Sequence, residues 1–144
     1  MSAKTFFTAE EQRRIVEAIA QAEMSTSGEI RVHLEKKCNL EVLDRASQVF
    51  AKLNMHKTAE RNGVLFYLAV ENRKFAILGD AGINAKTGSD FWNEIKADVV
   101  QDFSSGNIAD GLVNGILKAG EQLKAHFPYQ SDDVNELPNE ISFK

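Results

Sequence analysis

Residues 64–70 read Val-Leu-Phe-Tyr-Leu-Ala-Val, apolar without a break. A strand that is apolar at every position needs cover on both faces. This restricts the chain to folds with a sheet between two outer layers. The flanking sequence supplies those layers. Glu41 to Asn54 carries Leu43, Ala46, Val49, Phe50 and Leu53 at helical spacing. Upstream, Thr8-Ala-Glu-Glu11 is a capping box that opens a helix with Ile15, Ala18, Ile19 and Ala22 on one face. A third helix is expected from about Asp90, with Trp92, Ile95, Val99 and Phe103. A fourth follows Asn107 and carries Leu112, Val113, Ile116, Gly120, Leu123 and Phe127 until Pro128 stops it.

Two further strands complete the pattern. In Glu29-Ile-Arg-Val-His-Leu-Glu35, Ile30, Val32 and Leu34 point one way and Glu29, Arg31, His33 and Glu35 the other. This alternation predicts a half-buried strand near a sheet edge. Glu71-Asn-Arg73 is a turn, so Lys74–Gly79 should return antiparallel to residues 64–70. The first two strands are joined by a helix, which makes them parallel with a right-handed crossover. The order helix, strand, helix, strand, strand, helix, helix predicts an α/β/α three-layer sandwich with a small mixed sheet of about four strands. Three strands are evident. The fourth falls near Phe6–Phe7, near Asn39 or in the tail. Residues 1–128 read as one domain. Residues 129–144 read as an acidic C-terminal tail, with Asp132, Asp133, Glu136 and Glu140 against Lys144, and this tail is expected to be peripheral to folding.

Charge and cysteine content narrow the chemistry. Lys and Arg number 17 against 21 Asp and Glu, a net charge of −4. That balance argues against a nucleic-acid partner held through phosphates. A single Cys excludes an internal disulfide and any all-cysteine metal cluster. Met1 to Thr8 lacks the apolar run of a signal peptide, and no stretch is long enough to span a membrane. The expected location is therefore cytoplasmic. Lys86-Thr87 invites a phosphate-loop reading, but Ala85 and Asp80 stand where that motif needs glycines. Cys38 has no evident base, and His33, His56 and His126 lack metal-ligand spacing.

The carboxylates are more informative. The predicted topology puts the start of the first strand, the start of the second and the end of the third on one sheet edge. Glu29, Asp80 and Asp90, with Asn84 in the Asp80–Ser89 loop and Asn62 nearby, are brought to that edge. Such hard oxygen donors suit calcium or magnesium. The other reading is local: Asp80 forms a turn and Asp90 places negative charge at a helix start.

Ser27-Gly28-Glu29-Ile30, Arg61-Asn62-Gly63-Val64-Leu65, Phe75-Ala-Ile-Leu-Gly-Asp80, Gly82-Ile83, Phe91-Trp92, His126-Phe127-Pro128 and the tail Asp132-Asp-Val-Asn-Glu-Leu-Pro138 together resemble the TPM domain family, in its short bacterial stand-alone branch. The resemblance implies an α/β/α sandwich. It also implies links to photosystem maintenance, membrane-associated accessory roles, calcium sites and weak acid-phosphatase activity. Many relatives carry a signal peptide and a membrane segment, and neither is expected here. The resulting expectation is a non-catalytic accessory or regulatory module. It would bind a divalent metal, calcium before magnesium, at Glu29, Asp80, Asp90 and Asn84, and dock on a protein partner. The alternative is a weak metal-dependent acid phosphatase. The chain shows no dedicated nucleophile and, at the proposed edge, only Arg61 to hold a phosphoryl group. On either reading, Cys38→Ser should change neither calcium affinity nor phosphomonoester turnover by as much as about tenfold, as calorimetry and a generic phosphatase assay would show.

Overall fold

A computed structural model describes residues 2–88, 90–129 and 135–144. Its elements are α1 (Ala3–Phe6), α2 (Ala9–Glu23), β1 (Glu29–Glu35), α3 (Val42–Lys52), a 3-10 turn (Met55–Lys57), β2 (Gly63–Ala69), β3 (Lys74–Gly79), α4 (Ala81–Thr87), α5 (Asn93–Ser104), α6 (Ile108–His126) and β4 (Ser142–Phe143). The strands form one mixed sheet in the order β3-β2-β1-β4. β1 is parallel to β2, β2 is antiparallel to β3, and β4 runs parallel to β1 on its other side. The architecture is the three-layer α/β/α sandwich that the sequence predicts.

One face of the sheet carries Ile30, Val32 and Leu34 from β1, Val64, Phe66 and Leu68 from β2, and Phe75 and Ile77 from β3. These pack with Ile15 and Ile19 of α2, Ile95, Val99 and Phe103 of α5, and Leu112, Ile116 and Leu123 of α6. The opposite face holds a smaller core in which Leu65, Tyr67 and Ala76 meet Ala46, Val49 and Phe50 of α3, Met55 and Leu137. β2 is buried along its whole length, as its apolar run requires. The Thr8 capping box is present: the Thr8 hydroxyl accepts from the Glu11 N–H, and the Glu11 carboxylate accepts from the Thr8 N–H. Gly120 of α6 lets the two long helices touch, because a Cβ there would lie 2.9 Å from Ala22 Cα.

Three expectations change. β1 is an interior strand, not a half-buried one near an edge: all of its residues are buried, because β4 pairs with it at His33 and Leu34. The fourth strand therefore lies in the tail, and the tail is not peripheral. Leu137 is buried in the second core, while Ile141 and Phe143 pack on the first. Finally, the segment after Asp80 is not a loop. Asp80 caps α4 by accepting the Ala81 N–H at 2.7 Å, and Gly88, at φ 109°, ends it. Gly82 lets this helix seat against the chain, since a Cβ there would fall 2.1 Å from the Glu60 carbonyl oxygen. The tail placement reverses the expectation that residues 129–144 are peripheral to folding. Deleting residues 135–144 should lower the thermal midpoint sharply, because it exposes the polar face of β1 and removes a core side chain. Leu137→Ala alone should cost about 2–3 kcal/mol in denaturant unfolding.

Candidate functional site at the edge of the first strand

β4 covers only the C-terminal half of β1's outer edge. At the other end the edge is closed by side chains. The Ile30 N–H, with no strand to accept it on that side, donates to Glu23 Oε2 at 2.8 Å. Glu23 is the last residue of α2, where the helix dipole disfavours negative charge. Beside it, Glu29 is only 3% exposed. Its Oε1 accepts the Leu137 N–H at 2.5 Å, and its Oε2 is buried with no hydrogen-bond partner among the described residues. Glu23 and Glu29 line a cavity of about 290 Å³ together with Thr26, Ser27, Asn135 and Asn139.

Burial dominates the titration of both carboxyls. It pushes Glu23 up to about 7, against the hydrogen bond from Ile30 and with added repulsion from Glu29. It likewise pushes Glu29 up to about 7, against the backbone donors of Leu137 and Glu136. Two acids near neutrality in one cleft, one with an unpartnered oxygen, can take up protons or a cation.

The four residues expected to hold metal are not gathered into one cluster. Among the described residues, no three or more Asp, Glu, His or Cys side chains are placed to share an ion. Glu29 lies at the predicted edge, and the register aligns it with Gly63, whose carbonyl accepts the Asp80 N–H. The Asp80 carboxylate, however, is held by Arg61 through two bonds of 2.7 Å while it caps α4. Asn84 is exposed on α4, and Asp90 is exposed in the turn before α5, where its carboxylate accepts from the Asn93 amide at 3.3 Å. The local reading thus describes Asp80, which is a helix cap. Sequence reasoning missed Glu23. Its signal was an acid in the last turn of a helix, immediately before the strand it serves.

The same face of β1 carries a second polar constellation farther along. Glu35 accepts from Arg45 Nη2 at 2.6 Å and from Arg45 Nε at 2.8 Å, from the Tyr67 hydroxyl, and from His33 Nε2 at 3.1 Å. His33 Nδ1 lies 2.9 Å from Ser142 Oγ of β4. Burial lowers the His33 pKa, so the ring is neutral; Nε2–H then donates to Glu35 and Nδ1 accepts from Ser142. Burial works to raise the Glu35 pKa, but the bonds from Arg45, Tyr67 and His33 prevail and hold it down to about 2. Every oxygen of this carboxylate is occupied, so the cluster fastens structure and offers no free reactive group. Cys38 is buried, with its thiol 3.3 Å from the Leu40 carbonyl. Lys86 is not a phosphate ligand: its ammonium donates to the His126 carbonyl and sits over the Phe127 ring.

Comparison with known proteins agrees with this architecture. Residues 2–122 match the TPM domain family. The NMR structure of BA42 from the psychrophilic bacterium Bizionia argentinensis is 50% identical, with a TM-score of 0.92 over 98% of this chain and 97% of that one. The N-terminal domain of a P. gingivalis protein, 19% identical, shares the fold with a TM-score of 0.70 over 85% of this chain and 80% of that one. No curated protein matches the sequence.

The titrations predict a pH profile. Glu23 and Glu29 have folded-state pKa values above their unfolded ones. Their contribution is fully present below about pH 4.5 and is lost as pH rises through about 7. Glu35 has a depressed value, so its contribution is present above about pH 4.5 and is lost as pH falls towards 2. Denaturant unfolding should therefore show stability falling by up to about 2 kcal/mol per raised carboxyl between roughly pH 5 and 7.5. That fall should be shallower in Glu29→Gln.

Proposed function

The chain belongs to the TPM domain family, and from that premise we propose that it is a non-catalytic accessory or regulatory module whose β1 edge takes a divalent cation, calcium before magnesium. The observation that carries the reading is the buried Glu29 Oε2, without a partner, in a cleft shared with Glu23. Glu23 and Glu29 would provide carboxylate oxygens, with neutral oxygens from Asn135, from Asn139, which now accepts from the Asn135 amide, and from Ser27, which would give up its bond to Glu60. Calcium completes six to eight hard oxygen contacts with carbonyls and water. A bound cation would supply positive charge at a point where two acids otherwise meet unneutralised. Glu29 would be its anchor, with Leu137 fixing the orientation of the carboxylate through Oε1. Because the Asn135–Leu137 segment shares this site, the cation would link the tail to α2 and β1 and make the tail surface metal-dependent. A protein partner reading that surface would then sense metal.

The accessory reading is favoured over the phosphatase by the state of the guanidiniums near this edge: Arg31 is buried and donates to the Glu140 carbonyl, and Arg61 is taken by Asp80. Arg61 already holds Asp80 in a two-bond pair, so a phosphoryl group would have to displace a carboxylate to use it.

Calcium titration by calorimetry and thermal unfolding tests the reading. Saturating wild type at a hundred times Kd should add about 2.7 kcal/mol of stability. Affinity should strengthen as pH rises through about 7, because the ion displaces protons from Glu23 and Glu29. Glu29→Gln and Glu23→Gln should each weaken binding at least tenfold while remaining folded. Asp80→Asn should chiefly destabilise the α4 cap and the Arg61 pair, with little effect on calcium affinity. Absence of both heat and midpoint shift with millimolar calcium or magnesium would remove the cation from the account. Calcium-dependent turnover of a phosphomonoester that disappears in Glu29→Gln would favour the phosphatase.

A further inference from the structure

At the far end of the sheet from Glu29, past the C-terminal end of β2, the layers do not close. A cavity of about 360 Å³ lies there, lined mainly by apolar side chains: Phe6 of α1, Leu68 of β2, Phe75 of β3, Val100 and Phe103 of α5, and Ile108 of α6. Phe75 and Phe103 pack edge to face at 5.3 Å across its wall. The volume falls at the lower end of the roughly 300–1,000 Å³ typical of small-molecule sites. Val100, 42% exposed, is one of the few large apolar side chains left in solvent.

Apart from Ser104, the polar lining of this cavity is cationic. Arg73 and Lys74 both contribute to it. Lys74 is engaged, its ammonium donating to the Cys38 and Leu40 carbonyls at 3.1 and 3.2 Å. Arg73 is exposed and has no carboxylate partner among the described residues. Its backbone sits at φ 54°, in the left-handed region where glycine or asparagine is the comfortable choice. An arginine at that turn position carries a conformational cost that a glycine would avoid, and such a departure at a cavity mouth is a pointer to use.

We propose that this cavity binds the acyl chain of a free medium-chain fatty carboxylate, with the Arg73 guanidinium receiving the carboxylate at the mouth. The apolar wall accounts for the chain. The free guanidinium, which matches a carboxylate with two parallel N–H donors, accounts for the anionic head. This site is separate from the β1 edge and does not depend on the cation reading.

Calorimetry on the full chain with hexanoate, octanoate and decanoate, each below its micellar concentration, provides the test. A single saturable site is expected, with affinity rising about fourfold for each added methylene that is buried. Decyltrimethylammonium, which has the same chain and the opposite charge, should bind at least tenfold more weakly than decanoate. Arg73→Gly separates function from folding: it relieves the left-handed strain, so thermal stability should hold or rise while decanoate affinity falls at least tenfold. Val100→Trp, made at an exposed helix position, should block the cavity and abolish binding with the fold retained. No saturable decanoate binding to wild type would overturn the proposal. So would equal affinity in Arg73→Gly, or association with phosphatidylglycerol vesicles in the absence of monomeric decanoate binding.

Discussion

Each layer of this protein is fastened through β1, and β1 has a face that water would ordinarily serve. Glu29, Arg31, His33 and Glu35 are all buried, so their polar atoms depend on partners inside the fold, and among the described residues only Glu29 Oε2 and Arg31 Nε on this face find none. The partners come from different parts of the chain: Arg45 from α3, Tyr67 from β2, Ser142 from β4, the Glu140 carbonyl for Arg31, and the Leu137 N–H for Glu29. The polar face of one strand thus decides where a helix, a neighbouring strand and the tail must sit. Apolar contacts fill both cores but do not choose among packings so sharply, because a hydrophobic side chain tolerates many neighbours. A buried carboxylate with three kinds of donor tolerates very few.

The two ends of that face are satisfied to different degrees. At Glu35 the accounting closes: two bonds from a guanidinium, a phenol and an imidazole keep the charge in place despite burial. At Glu29 it does not close. One oxygen is served and the other is left bare, and the carboxyl answers by holding its proton to near neutrality. The difference separates a structural cluster from a candidate binding site. The two share a strand face, burial and residue type, and they diverge in whether each lone pair is met.

Much of this was legible in the sequence because it follows from periodicity. The capping box at Thr8, the parallel pairing implied by a helix between strands, the hairpin at Glu71–Arg73 and the two-sided burial of residues 64–70 are local or nearly local consequences of side-chain spacing. The alternation in residues 29–35 was read correctly as a strand but placed at the edge, because alternation normally means one wet face. Nothing local says that residues 135–143 return to cover it. β4 has two residues and is assembled from a segment whose acids suggested solvent, so its pairing is a tertiary outcome that periodicity does not encode. Glu29 was identified from topology. Its companion Glu23 was not, since its role depends on an edge N–H that only the pairing pattern leaves open. Asp80 was weighed both as ligand and as local former, and Arg61, at φ 52° and poised to clasp it, explains why the local role prevails. Asp132 and Asp133 lie outside the described residues.

The pairing of β4 with β1 also has a bearing on how the protein is made. His33 and Ser142 are 109 residues apart, and a ribosome supplies them in that order. Before residues 135–144 emerge, β1 can pair with β2 and bury its apolar face, yet the Glu29–Arg31 end of its charged face and one edge stay uncovered. A nascent chain in this condition is a nearly finished sheet with an accessible strand edge, the feature through which incomplete domains find one another. The buried charges on that face act in the meantime as a deterrent, because a foreign strand docking there would leave Arg31 without the Glu140 carbonyl and Glu29 without the Leu137 N–H. Completion is thereby reserved for residues 135–144, which carry the matching donor and acceptor and work as an intramolecular gatekeeper for the open edge of β1.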